Sequence, residues 1–298
     1  MKIVFLGTGG SYPTPKRNVT SIALKFKGDV ILFDCGEGTQ RQIMKSSLSF
    51  MKIQKIFISH FHGDHFLGIP GLIQSMNLND RENPLEVYGP VGTLEVMKEL
   101  IDIGYFRPGF EILVTELVPE ARLDFEGYSI TTIESNHNIP TLGFCFKEDD
   151  KKGRFKKQKA LSFGIPEGPL FSKIHNGEPI EVDGKVIRPE DVVGPPRRGR
   201  QVVYSADTKP SAEIIDAAED ADVLIHDGTL ESSLSDKAMQ HDHSSVDMAA
   251  MAAKEAGVKK LFITHISPRY EDAASLELEA KEIFENSTIP SDLFEYDM

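Results

Sequence analysis

The sequence predicts an α/β (α+β) chain folded as a four-layer αββα sandwich, two facing sheets with helices outside and a site along one open edge. Three observations lead there. His60, His62, Asp64 and His65 fall within six positions, between an apolar run that reads as a buried strand and one that reads as a helix. In the second half, QVVYSAD (201–207), ADVLIHD (221–227) and KKLFITH (259–265) repeat that grammar, each ending in a metal-binding residue type. Residues 147–200 break the pattern with glycines, prolines and charges, which predicts a long inserted arm.

Taken in order, KIVFL (2–6) is a strand and GTGG (7–10) its tight turn. YPTPKRN (12–18) is an exposed loop by its two prolines and adjacent Lys16 and Arg17. TSIALKF (20–26) and VILFD (30–34) form a hairpin across Lys27-Gly28-Asp29. Asp34 ends the second strand, Gly36 and Gly38 permit a sharp turn, and Thr39 with Gln42 predicts a capping box for a helix to about Lys45. KIQKIFIS (52–59) is a buried strand that delivers the histidine run. Leu67, Ile69, Leu72, Ile73 and Met76 predict the helix after it. LEVYGP (85–90) is a strand, and Val91 to Ile103 a helix with Leu94, Met97, Leu100 and Ile101 inward. FEILVTEL (110–117), YSITTIES (128–135) and TLGFCF (141–146) are strands, and His137 lies between the last two.

Within the arm, FGIPEGPLF (163–171) is the one ordered-looking knot. Beyond it, SAEIIDAAE (211–219) is a helix, and SSVDMAAMAAKEAG (244–257) is another, with Ser244 and Asp247 as a capping box and Gly257 as its stop. A final helix covers 274–284. The whole chain, 1–298, reads as a single domain carrying the 147–200 insertion.

Composition bounds the function. No stretch approaches the ~18 apolar residues of a membrane helix, and the first strand starts without a basic-then-apolar leader. Cys35 and Cys145 are the only cysteines, as expected of a reduced, cytoplasmic setting. The net charge of −13 opposes nucleic acid at first sight. Its distribution reverses that: residues 147–200 hold 13 basic and 9 acidic residues, against 20 and 37 elsewhere. Lys151, Lys152, Arg154, Lys156, Lys157 and Lys159 fall together with no acid among them.

In an extended turn, residues two apart point the same way, so His60 and His62 can bind one ion while Asp64 and His65 face a second. Imidazole plus carboxylate without thiolate is the ligand set of a hydrolytic zinc, iron or manganese centre. Asp207 ends a strand, and its two oxygens suit a bridge.

HFHGDH resembles the HxHxDH signature of the metallo-β-lactamase fold superfamily. FDCGEGTQ, YSADT and THISPRY resemble ribonuclease Z within it, over nearly the whole chain. The resemblance implies a zinc endoribonuclease that removes the 3′ trailer from precursor tRNA and leaves a 3′-hydroxyl. By it, His60, His62, His137 and Asp207 hold one Zn2+ and Asp64, His65, Asp207 and His265 the other, with Mn2+ or Fe2+ as substitutes. Asp64 is then the general base, and His243 of HDHSS the proton donor or phosphate stabiliser. Asp34 orients ligands, and His226 and Asp227 of HDGT stand where many members read HEAT. The arm resembles a tRNA-gripping arm whose tip includes Gly164, Pro166, Gly168 and Pro169. The loop at 12–18 resembles one the family places near the RNA 3′ end, which makes Arg17 a candidate RNA contact, and Arg269 holds a phosphate or forms a surface ion pair. A homodimer, one subunit's arm reaching tRNA cut by the other, follows from the arm's length and the resemblance. The rival reading is a phosphodiesterase of the same fold acting on a small or cyclic phosphodiester.

Overall fold

Runs of β-branched and aromatic residues open the chain as strands. In the computed structural model, which describes residues 1–103 and 105–298, β1 (Lys2–Gly7), β2 (Ser21–Phe26) and β3 (Asp29–Phe33) form an antiparallel meander. After α1 (Thr39–Lys45) the sheet continues in parallel with β4 (Ile53–Phe57), β5 (Leu85–Pro90) and β6 (Ile112–Leu117). The crossovers carry α2 (Gly63–Phe66), α3 (Ile69–Leu78) and α4 (Thr93–Ile101).

Local expectations fail here in three places. The helix expected through Leu67 is two helices, and Leu67 itself is exposed. Leu94 also points to water rather than inward, because α4 turns Met97 to the core. Thr39 and Gln42 form no capping box: Thr39 Oγ1 donates to the Gly36 carbonyl, and Gln42 Nε2 reaches the Leu6 carbonyl at 2.8 Å. A tertiary partner has claimed the side chain that local pattern assigned to the helix end.

β7 (Arg122–Phe125), β8 (Tyr128–Glu134) and β9 (Leu142–Glu148) begin the second sheet. The chain then enters a separate compact unit, Phe125–Ser129 with Lys147–Arg200. It holds α5 (Lys157–Ser162), α6 (Pro169–His175), a hairpin of β10 (Ile180–Val182) and β11 (Lys185–Ile187), and α7 (Pro189–Val192). Ala160, Ile165, Ile174, Ile180, Ile187 and Val192 bury against Phe155 and Phe171 as its own core. The insertion is therefore far more ordered than its glycines and charges predict. Glu148 fastens its base, accepting from Arg200 Nε at 2.7 Å and Lys151 Nζ at 2.8 Å.

The larger unit, Met1–Asp124, Ile130–Phe146 and Gln201–Met298, resumes with β12 (Gln201–Tyr204), α8 (Ala212–Ala217) and β13 (Val223–Asp227). α9 (Ser235–Gln240), α10 (Val246–Glu255), β14 (Leu261–Thr264), α11 (Ala274–Ile283) and β15 (Ser287–Thr288) follow. β12 to β15 are parallel. A last strand, β16 (Glu295–Asp297), crosses back to pair antiparallel with β1. Two seven-stranded sheets result, β16-β1-β2-β3-β4-β5-β6 and β15-β14-β13-β12-β9-β8-β7.

Aromatic rings fill the space between the sheets: Phe144 lies 5.7 Å from Phe33 and 5.3 Å from Phe57, and Phe5 lies 4.9 Å from Phe262. Truncating a ring so buried costs ~3–5 kcal/mol. On the outer face of the second sheet, Ala249, Ala250 and Ala253 bring α10 close to Leu224 and Ile263. The outer face of the first buries Ile69, Leu72 and Met76 of α3 with Met97 of α4. Helix, sheet, sheet, helix is the four-layer order expected. Ser244 does not cap α10, because Ser245 takes that place and Ser244 Oγ donates to the Thr208 carbonyl at 2.7 Å. Gly257, at φ 66°, ends the helix as expected. Among the described residues, no helix is long and apolar enough to cross a membrane.

Candidate metal centre

The ends of β3, β4, β12, β13 and β14 meet at one rim of the sandwich. There the chain leaves regular geometry repeatedly: Asp34, Ala206 and His265 have φ of 58°, 55° and 61°. Left-handed backbone at non-glycine residues costs on the order of 1–3 kcal/mol each and gathers where side chains must be aimed. Two glycines are required by the same crowding. A Cβ at Gly36 would strike the Asp64 carbonyl, and one at Gly10 would strike the His265 ring.

Two ligand groups result. His60 Nε2 and His137 Nε2 approach His62 Nδ1 to 3.1 and 3.2 Å, and these three with Asp207 lie within 4.8 Å of one another. Asp64, His65 and His265 form the second group. Asp207 Oδ2, a member of the first group, also comes near histidines of the second, at 3.1 Å from His265 Nε2 and 3.4 Å from His65 Nε2, against 3.7 Å from His60 Nε2. His265 Nε2 lies 3.3 Å from Asp64 Oδ2. Ring nitrogens so close cannot all carry protons, and His65 Nε2 is buried with no hydrogen-bond partner. Lone pairs converging on common points fit divalent cations.

The outward hydrogen bonds agree. His65 Nδ1 meets Asp34 Oδ2 at 2.8 Å, His137 Nδ1 the Asp242 carbonyl at 2.8 Å, His265 Nδ1 Thr229 Oγ1 at 2.9 Å, and His60 Nδ1 Ser59 Oγ at 2.9 Å. Each of these four rings thus has its other nitrogen anchored, which fixes orientation and raises ligand basicity. Asp34 is fully buried and also accepts from Ser59 N, Ser59 Oγ and the Tyr204 hydroxyl at 2.7–2.8 Å. Burial holds His60 well below its ordinary pKa. Burial also opposes charge on His65, but Asp207 and Asp34 outweigh it and raise that imidazole. Asp207 is held well below the usual carboxylate range: burial works against its charge, and His265 and His65 prevail.

His243 sits beside these groups, its Nδ1 2.8 Å from Asp227 Oδ2 and 4.0 Å from Asp207 Oδ2. Asp227, His243, Asp207 and His265 also cluster closely enough to suggest another cation position. The hydrogen bonds argue otherwise. Asp227 Oδ1 accepts from Thr229 N and Oγ1, and Oδ2 from Thr208 N, His243 and Ser244 N. A carboxylate with five donors is a holder of His243, and the aspartate is long enough despite lacking the extra methylene of glutamate. Burial disfavours imidazolium at His243, yet Asp227 overrides it and pushes the pKa up to about 9. His226 points elsewhere, fully buried with Nδ1 on the Asp227 carbonyl at 2.8 Å, so it supports backbone rather than ligands.

The remaining candidates separate by place. Arg17 turns inward, its Nη1 donating to Thr8 Oγ1 at 2.6 Å and the Pro290 carbonyl at 2.8 Å. Lys151, Lys152, Arg154, Lys156, Lys157 and Lys159 are all exposed on the smaller unit, as are Gly164, Pro166, Gly168 and Pro169. Arg269 is exposed, with no ion pair among the described residues. Tyr204, Thr229 and Asp242 were not foreseen. Tyr204 is the one with a visible sequence cue, standing three residues before Asp207.

A four-layer sandwich with paired histidine–aspartate groups at its strand ends defines a metal-binding hydrolase of the metallo-β-lactamase fold. A family described as anti-Pycsar protein Apyc1 matches residues 1–103, about a third of the chain. Ribonuclease Z of Methanosarcina acetivorans is 46% identical over 299 positions, covering 100% of this chain and 98% of its own. Ribonuclease Z of Thermococcus gammatolerans is 49% identical over 270, covering 91% and 85%. Among solved structures, the short form of human tRNase Z superimposes with a TM-score of 0.74 at 30% identity, covering 100% and 99%. Bacillus subtilis YhfI, at 0.72 and 19% over 99% and 98%, shares the fold. The chain belongs to the ribonuclease Z family and is an endoribonuclease.

Proposed function

We propose that this protein removes the 3′ trailer from precursor tRNA in the cytoplasm, using two Zn2+ per chain and leaving a 3′-hydroxyl on the tRNA. The observation that carries this is Asp207 Oδ2, placed 3.1 to 3.7 Å from histidines of both ligand groups. His60, His62, His137 and Asp207 would hold one ion, and Asp64, His65, Asp207 and His265 the other, with Mn2+ or Fe2+ able to substitute. When bound, the ions supply an acidified water and neutralise charge on the phosphodiester. Asp64 Oδ2 takes the proton of the attacking water. His243, charged through Asp227, offers Nε2 as proton donor to the departing oxygen, so the tRNA leaves with its 3′-hydroxyl. The exposed cations of the smaller unit, with its Gly-Pro tip, supply phosphate contacts separate from the ligand residues.

Incubating purified protein with a 3′-extended tRNA precursor and sequencing both fragments tests the reading. Discrete cleavage near the acceptor end is expected. An intact precursor alongside hydrolysis of a small or cyclic phosphodiester would assign the site to such substrates instead.

A further inference from the structure

Each sheet brings one buried carboxylate to the rim: Asp34 after β3 and Asp227 at the end of β13, at most 1% exposed. Each meets one ring directly. Asp34 Oδ2 lies 2.8 Å from His65 Nδ1, and Asp227 Oδ2 lies 2.8 Å from His243 Nδ1. Each also reaches a second ring through a hydroxyl. Ser59 Oγ stands 2.8 Å from Asp34 Oδ2 and 2.9 Å from His60 Nδ1. Thr229 Oγ1 stands 2.7 Å from Asp227 Oδ1 and 2.9 Å from His265 Nδ1. Carboxylate, hydroxyl and imidazole thus line up once at the end of each sheet. The sequence spacing differs, since Ser59 directly precedes its histidine and Thr229 lies 36 positions before its own.

Counting protons fixes the direction of these bonds. A hydroxyl has one hydrogen to give. Asp34 also accepts from Ser59 N and the Tyr204 hydroxyl, and Asp227 from Thr229 N, Thr208 N and Ser244 N, so both carboxylates act as acceptors. The Ser59 and Thr229 hydrogens therefore go to the carboxylates, and each hydroxyl oxygen is left to accept from an imidazole. His60 and His265 then carry their proton on Nδ1 and are bare at Nε2. Those bare nitrogens are the ones turned inward, His60 Nε2 toward His62 and Asp207, His265 Nε2 toward Asp64 and Asp207. His60 belongs to the first ligand group and His265 to the second. Ser59 and His60 are fully buried. Without the hydroxyl, the Nδ1–H of His60 would be a buried donor lacking its acceptor, and the opposite tautomer, protonated on Nε2, would compete.

We infer that Ser59 and Thr229 are positioning residues, one for each ion, whose hydroxyls hold a ligand histidine in the tautomer that presents Nε2 to the metal. The inference rests on the proposed pair of ions and concerns two residues that bind neither.

The test reads metal rather than activity. The zinc-loaded full chain is titrated with a chelator of known affinity, and the zinc retained per chain is measured. Ser59→Ala and Thr229→Val should each loosen one of two ions about tenfold or more, and the double variant should loosen both. His137→Ala tells which ion is affected. Joined to Ser59→Ala it should leave the other ion as tight as in wild type, whereas joined to Thr229→Val it should loosen both. Thr229→Ser keeps the hydroxyl and should hold zinc as wild type does. So should Ser21→Ala, which removes a buried hydroxyl that donates to the Asp34 carbonyl at 3.0 Å instead of bridging to a ring. Wild-type retention in Ser59→Ala or Thr229→Val overturns the proposal. Thr229→Ser as weak as Thr229→Val, or an equal loss in Ser21→Ala, also overturns it. If Ser59→Ala does not fold, Thr229→Val against Thr229→Ser decides. Wild type that holds a single ion defeats the two-ion reading itself, and this inference with it, before any variant is made.

Discussion

Asp207 is the residue on which the two ligand groups depend, since its Oδ2 faces His60, His65 and His265 together. Asp207→Ala should therefore disturb both ions, whereas His137→Ala should weaken only the group it shares with His60 and His62. Wild type should hold about two zinc per chain by elemental analysis. One tightly bound ion, unaffected by Asp207→Ala, would refute the bridge. His60, His62, Asp64 and His65 are legible because they crowd one turn after an apolar run, and Asp207 and His265 because each ends one, whereas His137 stands in a polar loop and is found through the resemblance. Their supporters are not. Thr229 and Tyr204 are common strand and turn residues, and Asp242 contributes a backbone carbonyl. Tyr204 alone carries a cue, three residues before Asp207, and nothing in the spacing of Thr229 or Asp242 tells of contacts made by folding.

Elements show the same division. Parallel strands buried on both faces read as continuous apolar runs, so β4, β5 and β12 to β14 stand out in the sequence; the antiparallel β1 to β3 carry apolar runs as well, and β6 shows by its alternation. β7, β15 and β16 are short edge strands with no such run, and the structure alone finds them. The insertion hid its helices for another reason: six buried aliphatic side chains are too sparse among charges to show a period. Glu148 anchors that insertion, and its acidity gives a pH test. Burial alone would raise its pKa, but the hydrogen bonds from Arg200 and Lys151 lower it to about 2. The unfolded value is ~4.3. The contribution is thus complete above that value and lost as pH falls toward 2. In urea titrations, Glu148→Gln should cost stability at pH 6 and progressively less toward pH 3, and a constant difference would refute the role. Replacing Lys151 to Pro196 by a short linker should spare nitrophenyl diester hydrolysis, since no candidate ligand lies in that span. The deletion should depress tRNA cleavage and flatten its salt slope by about 2–4 units. Unchanged tRNA processing would reduce the insertion to a bystander.

For the whole molecule, charge is sorted rather than balanced. The larger unit carries 20 basic against 36 acidic residues and the smaller 13 against 10, a division that the proposed function would use by leaving cations to the first and RNA phosphates to the second. We propose that two such chains act together, each arm serving its partner. Light scattering at micromolar concentration should then give a mass near twice 33.1 kDa, and a monomer throughout would count against it. Chain order carries another consequence. His265 follows every other ligand, and β1 meets its outer neighbour only when β16 exists. The Asp64, His65 and His265 group is therefore assembled across 201 positions of sequence, and it can exist only after the second sheet has brought β14 beside the turn that follows β4.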